Sequence, residues 1–361
     1  MTDLKFLNAL NTIPGVGPVT LRALKNHFGT FEAAWHAPES ALAGAGLTPR
    51  AIQLLLWKRP SLAPDREMER LIKEQVSLIT DADTAYPPAL KEIPHPPIAL
   101  YIRGKFTQQI PENISCAVVG SRKPTHYGLE ACESIVTGLA HAGITIVSGL
   151  ALGIDARAHE TALAAAGRTI AVLGSGSDDA SLYPRENRGL LRRIIESGGA
   201  ILSEYPPGTP ALREHFPQRN RIVSGISRGV LVIEARIKSG SLITPRLALE
   251  QNRDVFAIPG SIFSLYAEGP HRLIQEGAKL VSPAADILEE WGIEYTIKES
   301  SAAEGLGTHE EFLLGLLAEP LSIDDLKNKT KLETSAIVTS LSLLELEGRV
   351  RNLGQDTYQR I

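Results

Sequence analysis

The sequence predicts an α/β protein: a doubly wound, Rossmann-like sheet with a helical unit before it and a winged helix after it. Three observations carry that prediction. From residue 114 to about 290, six short apolar runs alternate with segments of helix length, the pattern of a largely parallel sheet covered on both faces. Residues 1–64 hold helical patterns around a Gly-x-Gly turn. Residues 309–361 hold three helical patterns followed by two short strand-like runs.

At 361 residues and 43% hydrophobic content, the chain can bury two or three domain cores. The start, Met1-Thr2-Asp3-Leu4-Lys5, has no charged-then-apolar leader pattern. No apolar run approaches the roughly 18 to 20 residues of a membrane helix, so a cytoplasmic protein without a membrane span is expected. Only Cys116 and Cys132 are present; one falls in a strand pattern and one in a helix pattern, which predicts reduced, inert thiols.

In the first unit, Thr12-Ile13-Pro14-Gly15-Val16-Gly17-Pro18 joins two apolar helical faces, followed by Arg22 and Lys25. The pattern resembles a helix–hairpin–helix (also found in SAM-like units), whose turn offers backbone N–H groups to a phosphate; a tight turn between packed helices is the other reading. Pro60 and Pro64 mark its end. Residues 65–295 read as one extended Rossmann-like domain. Its first part is studded with proline, as in Tyr86-Pro87-Pro88 and Pro94-His95-Pro96-Pro97, so Ser77-Leu78-Ile79 and Ile98 to Ile102 fit edge strands. The six apolar runs are Ala117 to Val119, Ile144 to Val147, Thr169 to Leu173, Ala200 to Leu202, Val230 to Ile233 and Val255 to Ile258. Residues 296–308 are small and polar and read as a linker. The third helix of the last unit, about Glu333 to Glu347, carries Glu333, Glu345 and Glu347 and no Lys or Arg. That charge predicts protein contact or packing rather than reading of a DNA groove.

In doubly wound sheets, ligands gather outside the carboxyl ends of the strands. Here those loops are Gly120-Ser121-Arg122, Ser148-Gly149-Leu150-Ala151-Leu152-Gly153-Ile154-Asp155 and Gly174-Ser175-Gly176-Ser177-Asp178. Gly-x-Gly-x-x-Gly does not follow the first of these strands, and Gly-x-x-x-x-Gly-Lys-Ser/Thr is missing, so neither a dinucleotide nor a P-loop nucleotide cofactor is expected. Gly120-Ser121-Arg122 instead places a glycine turn, a hydroxyl and a cation before a helix expected near Gly128, a setting for a phosphate. The histidines are scattered, with no metal spacing and no nucleophile–His–acid order, so no metal and no catalytic residue is expected. Asp155, followed by a helical pattern with His159 one turn on, reads as an N-cap.

Charge points the same way. Residues 205–246 contain seven Arg or Lys against two Glu, a local +5 in a chain of net −4. One basic stretch with glycines and an aromatic, in an otherwise acidic protein, predicts a polyanion site. Arg122, Arg213, Arg219 and Arg221 are the phosphate candidates, and Arg221 has Glu234 as an alternative partner. Phe216 is the base-stacking candidate. Ser121 and Asn220 would bond phosphate or base edges or hold loops, and Gly120, Gly149, Gly174, Ser239, Gly240 and Ser241 would supply close backbone approach.

These residues resemble those of the DNA-processing protein A (DprA/Smf) family of bacteria. The resemblance rests on Val119-Gly120-Ser121-Arg122 with Thr125 and Tyr127-Gly128, and on Ser148 to Asp155 with His159. It extends through Val172 to Gly176 with Tyr183-Pro184 and Asn187, Ser203 to Gly208, and Phe216-Pro217 with Arg219 to Ile222. Glu234-Ala235 with Ser239 to Thr244, and Asp254 to Ser261, complete it. Pro245-Arg246 and the loop from Ser261 to His271 depart from the family's pattern. The resemblance implies a dimeric, non-catalytic, single-stranded DNA-binding protein that protects incoming DNA and loads the recombinase RecA in natural transformation. The alternative is a nucleotide phosphoribohydrolase-like enzyme on the same sheet. Its Pro-Gly-Gly-x-Gly-Thr-x-x-Glu turn is not matched by Lys238 to Thr244, and Glu250 lies too far on.

Overall fold

The computed structural model describes residues 2–106, 114–293, 308–354 and 356–361. The chain divides into two compact units, Met1–Tyr295 and Thr296–Ile361. The linker expected over 296–308 lies outside the described residues except for its last, which opens a helix.

Nine strands make the sheet of the first unit: β1 (Ser77–Thr80), β2 (Ala99–Gly104), β3 (Ser115–Val119), β4 (Thr145–Ser148), β5 (Thr169–Leu173), β6 (Ala200–Ser203), β7 (Gly229–Val232), β8 (Asp254–Ala257) and β9 (Lys279–Leu280). Their order is β1-β2-β6-β5-β4-β3-β7-β8-β9. From β6 to β9 all neighbours run parallel, while β1 and β2 are antiparallel additions. The six apolar runs all become strands. Each is largely apolar because both faces are covered: in β3, Cys116 and Val118 enter one core and Ala117 and Val119 the other. β1 holds the edge, but β2 is paired on both sides, with β1 and with β6. The prolines that argued for an edge position flank β2 rather than interrupt it.

From β3 the chain steps to β4, β5 and β6 on one side and then returns to place β7 and β8 on the other. The crossovers therefore diverge at β3, and a crevice opens beyond the carboxyl ends of the central strands. Both cysteines are buried, and burial pushes their thiols up to about 12, which leaves them protonated and unreactive.

The first helices, Thr2–Asn11 and Pro18–Phe28, are joined by the glycine turn, with Gly15 at φ +85° and Gly17 as N-cap. Their core includes Leu7, Leu10, Leu21, Leu24 and Trp35, and also Ile98 and Ala99 from the sheet. The helical segment thus shares its core with the sheet's outer end. Asn11 adds polar ties to Tyr101 Oη (3.1 Å) and to the Glu204 carbonyl (3.1 Å). The two cations after the turn are engaged: Arg22 pairs with Asp81 at 3.0 Å and Lys25 with Asp3 at 2.7 Å.

The second unit packs helices Thr308–Leu316, Ile323–Thr330 and Thr334–Leu346 around Leu313, Leu317, Leu326, Ile337, Leu341 and Leu344. Ser322 and Asp325 form a capping box on the second helix. A hairpin of β11 (Val350–Gly354) and β12 (Thr357–Arg360), with β10 (Leu321–Ser322) beside β12, forms the wing.

Candidate nucleic-acid interface

A cleft of about 790 Å³ opens at the carboxyl ends of the central strands. Of the residues singled out from the sequence, Gly120, Arg122, Gly149, Arg213, Phe216, Arg219, Asn220, Ser239, Gly240 and Ser241 line it. Ser121, Gly174 and Arg221 do not.

Helix His215–Gly225 forms one wall. Phe216, Arg219, Asn220 and Val223 recur at i, i+3, i+4 and i+7, so they share the face turned to the cleft. Arg221, two residues past Arg219, falls on another face. Its Nη2 donates to both carboxylate oxygens of Glu204, at 2.6 and 2.5 Å, and neither side chain is more than 13% exposed. The partner is therefore Glu204 rather than Glu234. Burial raises the pKa of Glu204, opposed by Arg221, and the pair is a structural tie between β6 and the helix.

Arg219 lies at the cleft floor, 5% exposed. Its Nη1 donates to the Gly149 carbonyl at 2.7 Å and to the Val172 carbonyl, and its Nε donates to Asn220 Oδ1 at 3.2 Å. It thereby ties the ends of β4 and β5 to the helix. Burial lowers its pKa to about 10, with Asp155 acting in the opposite direction, so it remains a cation at neutral pH. Gly149 must be glycine for this, since a Cβ there would overlap the guanidinium.

Asp155 also lines the cleft. The helix after β4 begins at Ile154 with Gly153 as its N-cap, so Asp155 is not the cap. Its Oδ2 instead accepts from the backbone N–H groups of Gly149 (3.1 Å) and Ala151 (3.4 Å), fixing the loop before the helix. Burial raises its pKa, opposed first by Arg219. His159, wholly buried one turn on, has Nδ1 2.6 Å from Thr169 Oγ1. That hydroxyl donates to the Ile146 carbonyl at 2.8 Å, so the ring donates from Nδ1. Burial lowers its pKa to about 3.

The phosphate setting inferred for Gly120-Ser121-Arg122 changes in one respect. The next helix, His126–His141, is capped by Thr125. Glu234 accepts from Thr125 N at 2.9 Å and Thr125 Oγ1 at 2.5 Å, so a carboxylate of the protein already occupies that helix end. Ser121 serves the loop: its Oγ accepts from Lys123 N at 3.0 Å and its carbonyl accepts from Ile154 N at 3.1 Å. Arg122 points elsewhere, over the Phe216 ring, with its Cζ 5.6 Å from the centroid. The Phe216 ring also lies 5.9 Å from that of Tyr183, and a Cβ at Gly174 would stand 3.1 Å from it. Arg122, Phe216 and the half-exposed Tyr183 form a cationic–aromatic ledge on the cleft. Tyr183, quoted above only for its family pattern, lines the cleft with its ring tilted against Phe216, a placement that local periodicity does not reveal.

Also lining the cleft, Ser239 Oγ lies 2.6 Å from Ser241 Oγ and accepts from Ser241 N. Gly240 between them is exposed, and a Cβ there would meet no atom within 4 Å. Glu250, the acid closest to the enzyme alternative, is exposed at the end of helix Ile243–Glu250 and does not line the cleft. Among the described residues no cluster of three or more His, Cys, Asp or Glu is placed to hold a metal ion. No helix among them is long and apolar enough to cross a membrane.

Comparison with known proteins places this geometry. Residues 77–292 match the family model "DNA recombination-mediator protein A", and residues 298–355 match a "DprA winged helix domain". Protein Smf of Synechocystis is 42% identical over 290 residues, covering 79% of this chain and 71% of that protein. DNA processing protein DprA of Streptococcus pneumoniae is 47% identical over 209 residues, covering 58% and 72%. The X-ray structure of DprA from S. pneumoniae aligns with a TM-score of 0.67 at 35% identity, covering 81% of this chain and 99% of that one. DNA processing protein A from Helicobacter pylori, described for its single-stranded DNA binding mode, aligns at 0.53 and 29% identity, covering 60% and 95%. The chain belongs to the DNA recombination-mediator protein A (DprA/Smf) family.

Proposed function

We propose that this protein binds single-stranded DNA in the cleft of its first unit, without catalysis, and acts in DNA processing during transformation. In that role it protects the incoming strand and delivers it to RecA, working as a cytoplasmic homodimer. The reading rests above all on the Arg122–Phe216–Tyr183 ledge. A guanidinium over an aromatic ring beside a second ring suits one nucleotide: phosphate to the cation, base to the ring. Arg213 extends the positive lining, and Gly240 leaves open space for a backbone to approach. Relatives that carry the name DNA processing protein, one of them studied for its single-stranded DNA binding mode, support the same reading.

Competition between labelled single-stranded and duplex oligonucleotides of one length is the test. The single strand should bind at least tenfold more tightly, and the protein should speed RecA assembly on strands covered by a single-strand-binding protein. Equal affinity for the duplex would count against the cleft as a single-strand site. Full binding with no effect on RecA would remove the loading role.

A further inference from the structure

Six cation–ring pairs occur among the described residues, and in four of them the ring is buried: Phe6, Phe31, Tyr86 and Trp291. The two with an accessible ring are Arg122 over Phe216 in the cleft and Lys58 over Trp57, where Lys58 Nζ lies 4.5 Å from the ring centroid. Trp57 is 69% exposed near the end of helix Pro49–Lys58, whose Ile52 and Leu55 enter the core. It belongs to no site described above.

Charge singles out the same helix. Residues 1–64 contain six Lys or Arg against three Asp or Glu, a local +3 in a chain of net −4. Four of those cations are engaged within the fold: Lys5 pairs with Asp65, Arg22 with Asp81 and Lys25 with Asp3, and Arg59 donates to the Trp35 and Ala37 carbonyls. Arg50 and Lys58 have no acidic partner among the described residues. Arg50 is exposed two turns before Trp57 on the same face, about 10 Å along the axis, and the helix contains no acid. This helix packs on the glycine turn, since a Cβ at Gly15 would stand 3.3 Å from Leu54. The turn in its turn is tied to the cleft wall. Asn11 donates to the Glu204 carbonyl, Tyr205 stacks on His215 with ring centroids 4.0 Å apart, and His215 precedes Phe216.

Two cations without acidic partners beside an exposed indole suit an anion that carries flat apolar groups. A ring stacks only on an unpaired base, because a duplex keeps its bases stacked on one another. We propose that the Arg50–Trp57–Lys58 face is a second contact for single-stranded DNA, taking a distal stretch of the strand that the cleft holds. A base lies on the indole and phosphates lie on the two cations, the arrangement of the Arg122–Phe216 ledge repeated. Two contacts on one strand favour long strands over short ones, since the second is made at high effective concentration. The proposal rests on the single-strand reading of the cleft.

The test is intrinsic fluorescence, to which Trp57 contributes the solvent-exposed emission because Trp35 and Trp291 are each 6% exposed. Titration with an unlabelled oligothymidine of about 30 nucleotides, longer than the footprint of one binding domain, should quench that emission. Trp57→Phe should still bind the strand and should lose the quench. Arg50→Ala and Lys58→Ala should each make the salt slope for this strand shallower by about 0.7, while the slope for a strand of about 8 nucleotides, held by the cleft, stays as in the wild type. Strand binding without a quench, a quench that survives Trp57→Phe, or a long-strand slope unmoved by both substitutions would overturn the proposal and leave the cleft intact. Equal quenching by a duplex would also overturn it. Failure to bind any oligonucleotide would instead overturn the single-strand reading beneath it.

Discussion

The Gly149 carbonyl accepts a 2.7 Å hydrogen bond from Arg219 Nη1, and a single methyl group at position 149 would collide with that guanidinium. The sequence shows a glycine in one loop and a cation 70 residues later; the fold makes them one unit that closes the cleft floor. Gly149→Ala should therefore displace Arg219, lowering single-strand affinity about tenfold and stability by about 1 to 3 kcal/mol. Parallel anisotropy and urea denaturation would check both. An alanine variant with unchanged affinity would show that the floor does not depend on this contact.

Phe216 makes a different claim, since its ring is partly exposed on the cleft. Phe216→Ala should weaken binding by about 1 to 3 kcal/mol if one base stacks there. The salt dependence of binding should stay as in the wild type, because no charge is removed. Tyr183→Ala should act in the same sense. A changed salt slope in either variant would mean that the ring orients Arg122 rather than stacking on a base.

Arg221 should behave as structure, not as a phosphate contact. Arg221→Met leaves the buried Glu204 carboxylate unpaired, a cost of about 3 to 5 kcal/mol. The double variant Arg221→Met with Glu204→Leu should recover much of that stability. In the recovered protein the salt slope of DNA binding should match the wild type. A shallower slope would return Arg221 to the set of phosphate-binding cations.

His159 sets a pH response of the fold. Its folded pKa is depressed to about 3 from an ordinary 6.5 by burial, so the unfolded chain takes up a proton that the folded one refuses. The stability contribution is complete above pH 6.5 and is lost as pH falls from there toward 3, at up to about 1.4 kcal/mol per pH unit. His159→Gln should flatten the unfolding free energy between pH 6.5 and 5. Equal slopes in wild type and variant would contradict the buried neutral ring.

Much of this was legible in the chain, and for physical reasons. Strands covered on both faces read as unbroken apolar runs, so β3 to β8 stand out; β9, two residues long with a lysine, has no such signal. Arg122, Phe216 and the Ser239–Ser241 turn stand out in the chain by residue type, and the fold brings them to one cleft. The different fates of Arg219 and Arg221 follow from helical period once the helix is located. Pairings across the fold had no local sign: Glu234 meets Thr125, 109 residues away, and Glu204 takes the arginine expected for it. The helix after β4 begins two residues earlier than an Asp155 cap requires, enough to turn that cap into a brace for the preceding loop.

The most direct test of the central claim is the salt dependence of single-strand binding for wild type, Arg122→Ala and Arg213→Ala. If the cleft holds the strand through these cations, log affinity falls linearly with log salt, and each substitution makes the slope shallower by about 0.7. Slopes unchanged by both substitutions would mean that the strand's phosphates are held somewhere other than this cleft.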